Sequence, residues 1–190
     1  MDLGSAIGSV FAAVGLSGAA GLNAYLPLLV SAVLDRLDVV ELAEPFDALS
    51  SNAGISVLAV LFLADFVGDK VPGVDHVLHL LGTVIHPISG ALLFVGQTGL
   101  ETGIPAAVAA VLGALTAGLL HGGRAAVRPA STTTTAGFGN PLLSLGEDVA
   151  SLILTILAFA LPLVALFLVI VLVAAAVSAA RRLTRRPDPG

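Results

Sequence analysis

The sequence predicts an all-α polytopic integral membrane protein of about five to six transmembrane helices, with one or two broken or re-entrant segments. Three observations support this fold class. Hydrophobic residues make up 57% of the 190-residue chain and charged residues only 11%, which is too little charge to cover the surface of a soluble domain. Apolar stretches of spanning length, about 17 to 25 residues, recur along the chain. Polar residues, Gly and Pro separate these stretches.

The first apolar stretch covers about residues 5–34 and is too long for one straight span. The small-residue run GLSGAAGLNAYLP, Gly15 to Pro27, interrupts it, and we expect the helix to break there. Asp2 stands where a secretory signal would carry Lys or Arg, and the apolar stretch continues beyond any cleavage point. The pattern therefore predicts a retained first helix.

Further helices are predicted over about residues 54–70, 75–95 and 104–121. The last apolar run, about 149–179, carries Pro162, which favours a kink because proline removes a backbone hydrogen bond. The Gly, Pro and Thr content of residues 129–147 favours a partly unwound segment, and whether it crosses the membrane or re-enters stays open.

Basic residues are expected on the cytoplasmic side of a membrane protein. Here that rule predicts a multi-pass protein of the inner (cell) membrane with both termini in the cytoplasm and the acidic stretch 35–47 outside. The basic residues that set this orientation are Lys70, Arg124, Arg128, Arg181, Arg182, Arg185 and Arg186.

We expect one transmembrane domain over residues 1–180 and a basic cytoplasmic tail over 181–190. Six crossings would divide the domain into halves of residues 1–100 and 101–180. A short self-match pairs Ala20–Ser31 with Ala136–Ser144: both contain AG, an Asn, then Pro-Leu-Leu and Ser. The two segments would run in the same direction, which contradicts an inverted repeat. Whether the match is a true repeat stays open.

Three of the four histidines and three of the thirteen acidic residues lie within residues 63–87. Ionisable groups among membrane-length apolar segments are costly, which makes them functional candidates. Asp65 and Asp69 are four residues apart and share a helix face, so they form either an interfacial ion pair with Lys70 or a cation or proton site. His86 precedes Pro87, where we expect a helix break and a histidine that bonds freed carbonyls or lines a cavity.

Asp75, His76 and His79 follow a Pro-Gly turn at the start of a predicted helix. Asp75 suits a helix N-cap. The spacing also brings one carboxylate and two imidazoles together, which is a weak candidate for a metal site. A proton relay and simple hydrogen-bonded histidines are the alternatives.

The Thr/Gly-rich run STTTTAGFGN, residues 131–140, contains a local match to the filter pattern of potassium channels. A channel would need an apolar pore helix upstream, whereas this chain has Arg124, Arg128 and Pro129 there. We expect its hydroxyls and backbone to coordinate a solute or ion, with Arg124 and Arg128 available to an anionic group. Helix-capping roles are predicted for His121, and for Glu147 with Asp148.

Three blocks in order carry a family resemblance over nearly the whole chain: GLSGAAGLNAYLPLL, ADFVGDKVPGVDHVLH and STTTTAGFGNPLLSLGEDVAS. Together they resemble the family of uncharacterised bacterial membrane proteins catalogued as domain of unknown function 4126. The resemblance implies a small integral membrane protein. It implies no activity and no catalytic residues.

The function predicted from these features is a transporter or channel that moves a small solute or ion, coupled to protons or a cation. The alternatives are a non-catalytic structural or assembly protein and a metal-dependent lipid-modifying enzyme. No catalytic residue and no cofactor is predicted, and the absence of Cys excludes disulfides and thiolate sites. The expected partners are the bilayer and the solute or ion, without nucleic acid, and self-association is left open. The candidate pathway residues are Asn23, Asp65, Asp69, Asp75, His76, His79, His86, Arg124, Arg128, Thr134, Thr135, Gly137 and Asn140.

Overall fold

The computed structural model describes residues 3–69, 74–99, 102–135 and 139–184, except for the side chains of residues 74–76, 79, 126–135, 180 and 182–184. Within these ranges all regular secondary structure is helical, as expected for a chain that must satisfy its backbone hydrogen bonds inside a membrane. The helices are α1 (Leu3–Leu22), α2 (Leu26–Arg36), α3 (Phe46–Leu49), α4 (Asn52–Gly68), α5 (Val74–Thr98), α6 (Ala106–Thr135), α7 (Asn140–Ala160) and α8 (Pro162–Thr184).

Five of these helices contain segments long and apolar enough to cross a membrane, which confirms the predicted fold class. A sixth, α4, is apolar but only 17 residues long. The five candidate spans are Leu3–Leu22, Leu80–Thr98, Ala106–Ala125, Asn140–Ala160 and Pro162–Ala179.

Helix α1 lies at the centre of the bundle, and its residues from Ala12 to Leu22 are nearly all buried. It packs against α5, α6, α7 and α8. The Ser17 hydroxyl donates to the Gly90 carbonyl of α5 at 2.9 Å, and a Cβ at Gly15 would lie 2.8 Å from Cβ of Ala165 on α8. Small residues on α1 therefore allow close approach of its neighbours, the usual means of helix association in membranes.

Contacts along α1 give the direction of each neighbour. Helix α7 is antiparallel to α1, since Ser151 contacts Ala19 whereas the later residue Ala158 lies against Gly15. Helix α8 is parallel to α1, because Ala165 lies against Gly15 and Val169 against Gly18. By the same kind of contacts α5 is antiparallel and α6 is parallel to α1.

These directions define two ends of the bundle. At the end that we call the basic end, α1, α4 and α6 finish, α5 and α7 begin, and Arg124 and Arg181 are found. At the opposite, acidic end, the connection after α2 carries Glu41, and Phe46 packs against Gly96 near the end of α5. Helix α4 runs from the acidic end to the basic end, where the Ser144 hydroxyl donates to Asp69.

The connection between α2 and α3 is held in place by one carboxylate. Asp35 accepts hydrogen bonds from the Leu42 backbone N–H at 2.9 Å and from the Ser50 hydroxyl at 2.6 Å. Arg36 donates to the Ser50 carbonyl. The Ala43 backbone N–H donates to the Gly96 carbonyl of α5 at 2.8 Å, which holds the connection against the bundle.

One predicted helix break is confirmed, and the predicted kink at Pro162 is corrected. The first apolar run breaks at residues 23–25, between α1 and α2. A kink within one helix was expected at Pro162. Instead α7 ends at Ala160, and α8 begins at Pro162 and runs antiparallel to α7. Proline is well tolerated as the first residue of a helix, so it begins α8.

The prediction that residues 129–147 form a partly unwound segment is wrong for most of that segment. Helix α6 continues through Thr135, and α7 begins at Asn140. Threonine lowers helix propensity by only about 0.7 kcal/mol or less per residue, so a helix that is already formed over the candidate span Ala106–Ala125 can continue through these residues. Whether residues 129–147 cross the membrane was left open, and α7, which begins within this segment, is one of the candidate spans. The start of α1 at Leu3 and the end of α8 at Thr184 lie at opposite ends of the bundle, which contradicts the expectation that the first and last helices place the two termini on the same side.

Candidate functional site

The break between α1 and α2 is organised by the side chain of Asn23, which is only 2% exposed. Its Oδ1 accepts hydrogen bonds from the backbone N–H groups of Tyr25 at 3.0 Å and Leu26 at 2.9 Å. Its Nδ2 donates to Oδ1 of Asp148 on α7 at 2.8 Å. One amide therefore satisfies donors at the start of α2 and ties the break to a second helix.

Carbonyl groups in the last turn of α1 receive hydrogen bonds from three other helices. The Ser151 hydroxyl of α7 donates to Ala19 at 2.9 Å. His86 Nδ1 of α5 lies 2.5 Å from the Ala20 oxygen, and Arg124 of α6 donates to the Leu22 oxygen. The last carbonyls of a helix have no partner within it and carry the negative end of its dipole. The side chains here supply those partners and place a cation beside that end.

Charged groups surround the same break. Arg124 Nη2 lies 2.9 Å from Glu147 Oε2, and the two side chains are 10% and 18% exposed. The neighbouring carboxylate, Asp148, is 8% exposed. Ionised Arg124, Glu147 and Asp148 would together carry one positive and two negative charges.

Two histidines stack beside this group. The ring centroids of His86 and His121 are 4.2 Å apart with an interplanar angle of 29°, and the residues are 7% and 4% exposed. Because a carbonyl oxygen can only accept, the contact with Ala20 assigns the proton of His86 to Nδ1. Two imidazolium charges about 4 Å apart would repel by about 4 kcal/mol at an effective dielectric constant of 20, so double protonation of the pair is disfavoured.

We call this set of side chains the polar centre. It lies at the end of α1, among α5, α6 and α7, and is built from helices that also form the apolar core. Its members are Asn23, His86, His121, Arg124, Glu147 and Asp148.

Three of the residues predicted from the sequence, Asn23, His86 and Arg124, belong to the polar centre. His86 is not at a helix break, because α5 continues through Pro87 and the ring bonds the neighbouring helix α1. A Pro within a span can keep a helical backbone where neighbouring groups compensate.

The α4 carboxylates lie near the basic end. Asp69 follows the last residue of α4 and accepts from the Ser144 hydroxyl at 2.9 Å. Burial raises the pKa of the Tyr25 phenol, and the negative charge of Asp65 adds to the rise, so Asp65 lies close to the α1–α2 break. Asn140 is the first residue of α7 and is partly buried.

For most of the remaining predicted residues the structure describes only the backbone, and the others lie outside the described residues. The backbone places Asp75, His76 and His79 in the first turns of α5, and Arg128, Thr134 and Thr135 near the end of α6. Gly137 and Lys70 lie outside the described residues. The weak metal prediction for Asp75, His76 and His79 therefore stays a prediction. Among the side chains that are described, no three His, Cys, Asp or Glu residues group in a way that could hold a metal ion.

Three members of the polar centre were assigned capping roles from the sequence, and these assignments are wrong. Glu147 and Asp148 lie two turns inside α7, and His121 lies in the middle of α6. A signal for α7 was present: Ser144, Asp148, Ser151 and Thr155 recur at spacings of three or four residues and are all buried. Such a polar stripe on an apolar helix indicates a face turned towards the bundle.

An apolar groove of about 440 Å³ lies between α5 and α6, beside Pro87, Val111 and Gly118. Its lining contains none of the members of the polar centre. It therefore adds nothing to the chemistry of that site.

The fold and the polar centre define a polytopic helical membrane protein built around the central helix α1 and the break that follows it. The chain belongs to the family described as domain of unknown function (DUF4126), whose family model matches residues 10–182. This match confirms the resemblance found in the sequence, and it covers every residue of the polar centre. No curated protein and no solved structure matches the chain.

Proposed function

We propose that the protein moves a small solute or ion across the cell membrane, coupled to protons or a cation, and that the polar centre is the binding site. The observation that carries this proposal is the convergence of ionisable side chains from α5, α6 and α7 on the break between α1 and α2. The basic end would face the cytoplasm, in keeping with the distribution of Lys and Arg.

The placement of the charges supports a functional role. Arg124, Glu147 and Asp148 lie within or next to apolar spans, where ionisable groups are rare and mark ion pathways or proton relays. Substrate sites of transporters use helix termini and backbone carbonyls that lie within the protein. Here the end of α1 provides such carbonyls, and Asp148 of α7 places a carboxylate beside the break.

The geometry also suggests how occupancy could change the conformation. Asp148 accepts from Asn23, and Asn23 in turn holds the first backbone N–H groups of α2. A proton or cation at Asp148 would alter the strength of this contact. Movement of α2 relative to α7 would then accompany binding, with Asp65 and Asp69 placed towards the basic end of the pathway.

A second candidate function is that of a structural or assembly protein. It is favoured by the observation that Asn23, Ser151 and Arg124 satisfy backbone groups of α1 and α2 directly. Buried hydrogen bonds of this kind stabilise helix contacts without any transport. In a transporter the charge of Asp148 would bind the transported species, whereas in a structural protein Asp148 would only hold helices together.

Purified protein in proteoliposomes, assayed for flux of a panel of cations, anions and protons under an imposed pH gradient and membrane potential, tests the proposal. We expect flux of at least one species above that of protein-free vesicles, reduced at least tenfold in Asp148→Asn. The asparagine can still accept from Asn23, so the fold should be kept. Glu41→Gln, at an exposed carboxylate of the acidic end, is the matched control.

Two outcomes would contradict the proposal. One is the absence of flux of every species in wild-type vesicles that contain folded protein. The other is an Asp148→Asn variant that transports as well as the Glu41→Gln control.

A further inference from the structure

We propose that the stacked pair His86–His121 binds a single proton and is the proton site of the polar centre. The inference rests on the proposed function, since it names the proton as the coupled ion. It is carried by ring stacking at 4.2 Å, by the bond of His86 to the end of α1, and by the glycine that accommodates both rings.

The orientation of the rings suits a proton and does not suit a metal ion bound by both histidines. Imidazole lone pairs lie in the ring plane, and the two planes are only 29° from parallel. Lone pairs of stacked rings therefore do not converge on one point. His86 donates from Nδ1 to the Ala20 carbonyl, which leaves Nε2 as the atom that takes up a proton.

The surroundings of the pair favour one added positive charge. On the α1 side, His86 contacts the Ala20 carbonyl in the last turn of the helix, where the negative end of the helix dipole lies. Helix α6 contributes Arg124 one turn beyond His121, and α7 contributes Glu147 and Asp148. Helix α4, which packs against α5, carries Asp65 and Asp69 near its end. The described side chains of α8 carry no charge before Arg181.

Repulsion between the two rings limits the uptake to one proton. Ionised Arg124, Glu147 and Asp148 sum to one net negative charge, to which ionised Asp65 and Asp69 would add, so the surroundings favour a first proton on the pair. A second proton would place two imidazolium charges about 4 Å apart. The pair therefore acts as one site shared between two rings.

Gly82 shows that the helices leave room for both rings. A Cβ at this position would lie 2.8 Å from Cε1 of His121 and 3.1 Å from Cδ2 of His86. Any larger residue would push the imidazoles apart or displace α5 from α6. Gly122 offers a matched control in α6, because a Cβ there would meet nothing within 4 Å.

The test is an NMR pH titration of full-length protein labelled with ¹⁵N-histidine in lipid nanodiscs, with His86→Gln and His121→Gln for assignment. We expect the two rings to titrate with one common midpoint between about pH 5 and 8, the range in which histidine changes its charge, and to take up one proton per pair. Two protons taken up by independent rings, or no titration of either ring in this range, would overturn the inference.

Gly82→Ala provides a variant that keeps every charge. We expect it to abolish the common midpoint, whereas Gly122→Ala should retain it. Persistence of the common midpoint in Gly82→Ala would also count against a shared site. The titration needs no substrate: flux without the shared titration would reject this inference alone, and the shared titration without flux of any species would reject only the proposed function.

Discussion

Asn23 is the residue on which the polar centre depends most directly. It makes three hydrogen bonds, two to the start of α2 and one to Asp148. The sequence indicated this position, because an Asn between a small-residue run and Pro27 is typical of a helix break. It did not indicate the partner, because Asp148 is 125 residues away and no local pattern encodes that contact.

Asn23→Asp should destabilise the protein strongly at neutral pH. An aspartate keeps the acceptor for the Tyr25 and Leu26 N–H groups but places a second carboxylate against Asp148, with a repulsion of about 4 kcal/mol at 4 Å and an effective dielectric constant of 20. The loss of thermal stability in detergent should be larger at pH 8 than at pH 5, because one carboxyl becomes protonated as the pH falls.

The exchanged pair Asn23→Asp/Asp148→Asn should recover most of that stability. In the double variant the asparagine introduced on α7 can donate to the aspartate introduced at the break, and that aspartate still accepts from the start of α2. Equal stability of the single and double variants would show that residues 23 and 148 are not in contact.

Glu147→Gln should remove the carboxylate that pairs with the Arg124 guanidinium, in a site where the two side chains are 10% and 18% exposed. Removing one partner of a buried ion pair costs about 3 to 5 kcal/mol, and partial exposure here favours the lower part of that range. Chemical denaturation in detergent measures the change. Asp47→Asn, on the exposed acidic end, should change stability by about 0.5 kcal/mol or less, and a similar small effect of Glu147→Gln would argue against a buried pair.

At the scale of elements, the bounds of α4 and α5 were predicted within a few residues, although α5 continues through Pro87, where a break was expected. The end of α6 and the start of α7 were not. The run of threonines, Gly137 and Pro141 suggests an irregular backbone, yet α6 is helical to Thr135. Weak local propensity did not end a helix that was already formed over Ala106–Ala125, so propensity alone misplaced α7 and with it the stripe that carries Asp148.

Close contact between α5 and α6 depends on Gly90. A Cβ there would lie 2.5 Å from the Gly113 carbonyl oxygen and 2.5 Å from Cβ of Ala117. Gly90→Ala should therefore separate the helices and lower the melting temperature, despite the gain in helix propensity. Gly122→Ala, in open space on α6, should be neutral or stabilising by about 1 kcal/mol or less. A Gly90→Ala variant as stable as Gly122→Ala would contradict the close crossing.

For the whole molecule, the directions of the helices place the acidic connection after α2 and Arg181 at opposite ends. The orientation that we propose puts Arg181 in the cytoplasm and Glu41 outside. The chain contains no Cys, so single cysteines can be introduced without further changes. Glu41→Cys should react with a membrane-impermeant maleimide in intact cells, and Arg181→Cys only after lysis. The reverse labelling pattern would show that the topology is inverted.

The central claim is that the polar centre binds a transported species and does more than hold helices together. Flux through proteoliposomes of the exchanged variant Asn23→Asp/Asp148→Asn tests it most directly, because this variant keeps the hydrogen bonds at the break and moves only the carboxylate from α7 to the end of α1. We predict folded protein of near wild-type stability with flux reduced at least tenfold. Wild-type flux in this variant would contradict the claim, since it would show that the position of the charge does not matter.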